Sequence, residues 1–169
     1  FIEMDMGAEY HGYSADVTRS FPISGSFTAA QRTIYQLVFE AQDSGIKCCQ
    51  IGAPFNSAHY AAVSIISEGL KRLGIISDTK EYRKYFMHGT SHYLGLDVHD
   101  AGTYGKLEAG NVLTVEPGIY IPAGSPCDPK WWNIGCRIED DILVSTSGPV
   151  ILSAASPRKI KDVEALLKK

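Results

Sequence analysis

Residues 4–22 read MDMGAEYHGYSADVTRSFP, with Asp5 and Asp16 near the ends of the first thirteen residues and a Tyr-His-Gly-Tyr group between them. Asp5 through Asp16 is twelve residues, the length of an EF-hand calcium loop. Such a loop needs oxygen donors at its first, third and fifth positions, Gly at the sixth and usually Glu at the twelfth. Here the third is Gly7, the sixth is Tyr10 and both flanks are strand-like, so the stretch is not a calcium loop. FIEMDMGAEY alternates roughly apolar with polar, while DVTRSFPI is β-branched and aromatic and closes at Pro22. This pattern predicts two strands around the Tyr-His-Gly-Tyr turn. A turn centred between Tyr10 and His11 sets Asp5 opposite Asp16, with Cβ atoms about 4.5–5.5 Å apart. Like charges that close destabilise a hairpin unless a cation lies between them. Taken alone, two aspartates fit a solvated turn at least as well, and a bulge would break the register.

Outward from the hairpin, SFTAAQRTIYQLVFEAQDSGIKCCQ predicts a long helix. Thr28 and Gln31 form a capping-box pattern, and Ile34, Leu37, Val38 and Ala41 fall at helical spacing. Gly52-Ala53-Pro54 ends it, and a second helix is predicted from about Ser57 to Leu73, with Gly74 as its stop. KYFMHGTSHYLGLDVHD mixes strand formers with glycines and three histidines, so strands and loops are expected there. NVLTVEPGIYI and GCRIEDDILV each predict one strand, with the Pro/Gly-rich connector PAGSPCDPKWWN between them. PRKIKDVEALLKK predicts a terminal helix with Pro157 in its first turn. Strands, two helices and then mostly strands make an α+β fold.

The 169 residues, 44% hydrophobic and 21% charged, suit one globular domain. A net charge of −3 without a basic stripe gives no reason to expect nucleic acid or an anionic membrane as partner. The apolar runs are too short to span a bilayer, and no secretory signal opens the chain. Cys48, Cys49, Cys127 and Cys136 form no CxxC pair and no Cys/His spacing suited to structural zinc. Free thiols in a reducing compartment are expected, which points to the cytoplasm.

Glu116 ends the apolar run NVLTV, where a carboxylate is costly. Glu139 follows Arg137 by two residues and shares its strand face, which makes Arg137 an available partner. Buried carboxylates are usually paired or metal-bound. His88, His92 and His99 fall within twelve residues of one another. The spacing of His88 and His92 would suit a zinc pair on a helix, but Gly89 stands where HExxH needs its glutamate. His11 and His59 lack such context and are expected to be surface or packing residues. Asp5, Asp16, Glu116 and Glu139, gathered with one or more imidazoles, would repel one another without a cation. Two divalent cations balance four carboxylates, and an oxygen-rich set with a single His favours Mn²⁺, with Co²⁺ or Zn²⁺ also suited. Two such ions about 3.5–4 Å apart bind and deprotonate a bridging water and stabilise an oxyanion. The residues point to a dinuclear metal hydrolase.

MDMGAEYHGYSADVTRSFP, HGTSHYLGLDVHD, VEPGIY and GCRIEDD together resemble, in order and wording, the catalytic domain of bacterial X-Pro aminopeptidases (aminopeptidase P). That family is related to prolidases and methionine aminopeptidases. The resemblance implies the C-terminal portion of a pita-bread fold over residues 1–169, an antiparallel curved sheet with flanking helices. It implies that the catalytic domain starts before Phe1, with another active-site histidine and an N-terminal domain upstream, and that residues 1–169 alone are impaired. It implies Asp5 on one metal, Asp16 and Glu139 bridging both, and His92 and Glu116 completing the second. Glu116 would also assist proton transfer. His88 and His99 would position substrate, and Arg137 would support the network. The implied reaction releases the N-terminal residue from peptides with proline second. Peptides are thus the implied partners, and a homo-oligomer is compatible with the pattern. The alternatives are a prolidase, which cuts X-Pro dipeptides, and a non-catalytic pita-bread peptide-binding module.

Overall fold

The computed structural model describes residues 1–168, which form nine strands and three α-helices. The opening hairpin pairs β1 (Ile2–Met6) with β4 (Val17–Phe21), and its tip pairs β2 (Glu9–Tyr10) with β3 (Tyr13–Ser14). The turn is His11-Gly12, both at positive φ (51° and 83°). Two-residue hairpins favour this geometry because its twist matches that of the strands, and glycine adopts it without strain. The turn therefore centres one residue later than expected, and the register is corrected with it. Asp5 pairs with Thr18 and Met6 with Val17, so Asp16 does not face Asp5 in the ladder.

Between the two paired stretches the strands touch. A Cβ on Gly7 would lie 1.6 Å from the Ala15 carbonyl oxygen. Ala15 N–H donates to Ala8 O at 2.9 Å, and the ladder is broken at Asp16. The Asp16 N–H is left to donate to the Asp141 carboxylate, at 3.2 Å.

The first helix, α1 (Ala29–Lys47), starts with the predicted capping box: Thr28 Oγ1 accepts from the Gln31 N–H, and Gln31 Oε1 accepts from the Thr28 N–H. α2 (Ser57–Arg72) ends at Leu73, followed by Gly74 at φ 69°. The α1 face of Ile34, Leu37, Val38 and Ala41 is buried against Ala62, Ile66 and Leu70 of α2 and against Ile119, Ile134 and Ile138. A second apolar cluster, including Ile46, Phe55, Leu113, Val115 and Ile142, fills the other end. A 3₁₀ turn at Thr79–Lys84, capped by Asp78 and Glu81, follows α2.

Both of the long strands expected in the second half are interrupted. NVLTVEPGIYI forms β5 (Val112–Val115) and β6 (Gly118–Ile121), while GCRIEDDILV forms β7 (Ile134–Arg137) and β8 (Asp140–Ser145). β8 pairs with β5 and with β9 (Gly148–Ile151), and β6 pairs with β7; every pairing is antiparallel. Pro117 has no N–H to offer the ladder. Val115 pairs with Asp140 and Gly118 with Arg137, so either register, extended into the gap, sets Glu116 against Glu139. The carboxylate opposition expected in the hairpin occurs here instead.

The terminal helix α3 (Ile160–Leu167) starts later than predicted, and Pro157 precedes it. The Ser156 and Pro157 carbonyls accept from the Arg19 guanidinium (2.9 and 3.1 Å), and the Arg158 carbonyl accepts from Tyr35 OH (2.9 Å). These bonds hold the segment out of the helix. Lys169, the last residue of the predicted helix, lies outside the described residues. No helix among the described residues is long and apolar enough to cross a membrane.

The close approach at Gly7 is directly testable. Gly7→Ala is expected to push β1 from β4 and to cost about 1–3 kcal/mol, as overpacking does. A thermal melt should show the lower midpoint; an unchanged midpoint would contradict the contact.

Candidate metal centre

His92 lies in the segment between α2 and β5, and its backbone is fixed against β5: Thr114 N–H donates to the His92 carbonyl, and His92 N–H donates to Thr114 Oγ1. Its Nε2 then lies 3.5 Å from Asp16 Oδ2, 3.4 Å from Glu116 Oε1 and 4.0 Å from Glu139 Oε1. One donor atom each of Asp16, His92 and Glu139 lies within 4.8 Å of the others. Asp5 sits at the margin of this group. Its carboxylate is half exposed and ion-paired with Arg137 at 2.7 Å, and its charge raises Asp16. Asp5, His88, His92, His99, Glu116 and Arg137 line one cleft of about 480 Å³, and the His99 ring packs edge-on against His92. The structure thus brings together all eight candidate residues.

Arg137 does not pair with Glu139, as their shared strand face suggested, because β7 ends at Arg137. Its Nη1 reaches Glu3 (3.0 Å) and Tyr120 OH (3.2 Å), its Nη2 reaches Asp5, and its Nε donates to Thr18 Oγ1 (3.0 Å). Thr18 Oγ1 in turn donates to Glu139 Oε2 at 2.5 Å. On the cleft side, His88 Nε2 is 2.8 Å from Tyr120 OH. Thr18 and Tyr120 are the residues that the sequence pattern missed. Thr18 had a signal: it alternates with Asp16 and Ser20 along one strand, and both Thr18 and Ser20 are fully buried. His59 is half-buried, bonded to Thr90 Oγ1 and packed on Phe86, in keeping with a packing role; His11 is exposed at the turn.

Burial first, and mutual repulsion second, raise the acidic groups. Burial, aided by the Glu116 charge, pushes the Glu139 carboxyl up to about 8, and burial pushes Glu116 up to about 7 against the pull of Arg137. Asp16 is raised by burial and by the neighbouring Asp5 carboxylate. Burial lowers His88. Glu139 Oε1 is buried and accepts no hydrogen bond. A buried carboxylate oxygen without a partner is costly, and it lies among a second carboxylate, a third and an imidazole nitrogen. A divalent cation fits that place: it would supply the missing partner and cancel the repulsion.

The sequence model of metallopeptidase family M24 matches residues 1–146. The chain belongs to that family. It is 43% identical to the Xaa-Pro aminopeptidase of Escherichia coli (strain K12) over 98% of its own length and 40% of that protein. It is 40% identical to Xaa-Pro aminopeptidase 3 of Rattus norvegicus, over 98% of the chain and 34% of the relative. Among solved structures, zinc-substituted E. coli aminopeptidase P in complex with product superposes with a TM-score of 0.93 at 42% identity, covering 98% of this chain and 40% of that one. Pseudomonas aeruginosa aminopeptidase PepP superposes with a TM-score of 0.94 at 39% identity, covering 98% and 41%. The fold is the α+β pita-bread fold of these aminopeptidases. The chain spans about two fifths of the length of the E. coli relative.

The raised carboxyls make stability depend on pH. Between the ordinary glutamate value and about 8, the folded metal-free protein holds protons on Glu116 and Glu139 that the unfolded chain releases. Their contribution is fully present at low pH and lost as pH rises through about 7 to 8. The metal-free protein is therefore expected to melt at a lower temperature at about pH 8.5 than at about pH 5.5. A midpoint that rises over that interval would contradict the burial of these two carboxyls.

Proposed function

We propose that the protein containing this chain is a metal-dependent aminopeptidase that releases the N-terminal residue from peptides with proline in second position. The observation that carries this reading is the convergence of Asp16, His92, Glu116 and Glu139 around the unpartnered Glu139 Oε1, in a chain of a metallopeptidase family. Asp5, Asp16, His92, Glu116 and Glu139 would hold two divalent ions, and Asp16 and Glu139 would be shared between them. Mn²⁺ suits this oxygen-rich set best, and Co²⁺ and Zn²⁺ are the alternatives. Such a pair, when bound, supplies an activated water and charge stabilisation for an oxyanion.

The chain's own groups do the rest. Glu116, next to the cleft, accepts a proton from the attacking water and passes it toward the leaving nitrogen, a task suited to a carboxylate on the cleft wall. His88 and His99 on the same wall position the peptide, the His88 ring being held by the Gly89 carbonyl and Tyr120 OH. Arg137 keeps Asp5 turned toward the centre. An X-Pro bond is a tertiary amide without an N–H, so recognition has to come from contact with the proline ring. The Xaa-Pro aminopeptidase relatives favour this reading over a prolidase. The retention of all five donors favours it over a non-catalytic peptide-binding module. We assign residues 1–169 to the C-terminal part of the metallopeptidase domain and the protein to the cytoplasm, with peptides as partners and self-association left to measurement.

The Mn²⁺-loaded full-length protein should release the first residue from an X-Pro-containing tripeptide. Cleavage of X-Pro dipeptides with tripeptides left intact would favour prolidase instead. Glu116→Ala should lower kcat/KM by orders of magnitude, and wild-type rates in that variant would overturn the assignment. Chelation should lower the melting temperature, since metal binding is coupled to folding where carboxylates cluster. A midpoint indifferent to chelator and Mn²⁺ would count against a metal centre.

A further inference from the structure

The hairpin register places Thr18, and not Asp16, across from Asp5, and Thr18 is fully buried. A threonine hydroxyl has one proton to donate. Arg137 Nε directs an N–H at the Thr18 oxygen from 3.0 Å, and the hydroxyl proton goes to Glu139 Oε2 at 2.5 Å. One oxygen of Glu139 is thereby occupied. The other, Oε1, stays buried and unpartnered 4.0 Å from His92 Nε2. The same guanidinium holds Asp5 through Nη2. Thr18 also anchors Glu139 by its main chain, since the Glu139 N–H donates to the Thr18 carbonyl at 3.1 Å. The backbone contact places the Glu139 Cα, and the hydroxyl sets the rotation of its carboxylate.

We propose that Thr18 is a positioning residue of the metal centre: its hydroxyl turns one Glu139 oxygen to the metals and, through Arg137, ties that orientation to Asp5. Thr18 is absent from the cleft wall. Without the hydroxyl, Glu139 Oε2 and Arg137 Nε each lose a buried partner. The carboxylate is then free to rotate, so Oε1 is no longer held toward the metals, and the link from Glu139 through Arg137 to Asp5 is broken. This inference rests on the proposed metal centre.

The test compares Thr18→Val, Thr18→Ala and Thr18→Ser in the full-length protein. Mn²⁺ is titrated into the metal-free protein by calorimetry, and kcat and KM for an X-Pro tripeptide are measured at saturating Mn²⁺. Loss of an outer partner of a metal ligand costs about 10–100-fold in metal affinity. Thr18→Val and Thr18→Ala are expected to weaken Mn²⁺ binding by that amount and to lower kcat with KM little changed. Thr18→Ser, which keeps the hydroxyl, is expected to bind Mn²⁺ within about threefold of wild type, well inside that range. Wild-type Mn²⁺ affinity in folded Thr18→Val or Thr18→Ala overturns the proposal. So does a loss of about tenfold or more in Thr18→Ser, because the methyl and not the hydroxyl would then be what matters; this arm decides the question even where the other variants do not fold. Failure of the wild-type protein itself to bind Mn²⁺ overturns the metal centre on which the inference rests.

Discussion

The Arg137 guanidinium joins the first strand of the hairpin to the polar groups behind the acidic cluster. It bonds Glu3 and Asp5 on β1, Tyr120 on β6 and Thr18 on β4. Its planar fork of donors can satisfy several acceptors at fixed angles, which a lysine ammonium cannot do. The consequence is structural as well as electrostatic. β1 pairs only with β4, and its residues are exposed, so apolar packing does little to fix it. Its polar side chains are fixed by the guanidinium. The same charge pulls down the carboxyls of Glu3 and Glu116, against burial that raises both.

Around that cation the fold delivers carboxylates from breaks in its ladders. Between the two paired stretches of the hairpin Gly7 lies against the Ala15 carbonyl, and Asp16 emerges at that gap in the ladder. Pro117 interrupts the β5–β6 edge, and Glu116 and Glu139 emerge at that gap from opposite sides. A regular strand would send such side chains to alternating faces at fixed spacing. A broken one lets residues from four segments aim at one point. The consecutive acids after Glu139 show the regular case. Asp140 turns inward to Arg19, Gln42 and Ser153 and binds α1 and the C-terminal segment to the sheet, while Asp141 takes the Asp16 N–H.

Much of this was legible in local pattern. The Thr28/Gln31 box, the α1 apolar face and the Gly74 stop are properties of a few neighbouring residues, and the structure contains each of them. Glu116 and Glu139 stand out because apolar strands make carboxylates expensive, whereas Asp5 and Asp16 are grouped by a hairpin opposition that the register does not contain. Alternation reports which residues share a face but not where the turn centres, so it sets the hairpin register one residue early. His11 and Gly12 settled that through their positive φ. β9 and the 3₁₀ turn are short and carry little periodicity, although Asp78 and Glu81 have a capping-box spacing like that of Thr28 and Gln31. Thr18 does not stand out in the sequence, because a threonine in a β-branched run looks like an ordinary strand former.

The sequence by itself determined the α+β order, the helices and the chemical kind of the site, because spacing and residue type act over one or two turns of chain. Tertiary structure alone decided which atoms meet. Thr18 and Glu139 are 121 positions apart, and Arg137 and Asp5 are 132 apart. No periodicity reaches across such distances. They are joined by the packing of β4 against β7, and that packing chooses which oxygen of Glu139 is occupied and which is left for a metal.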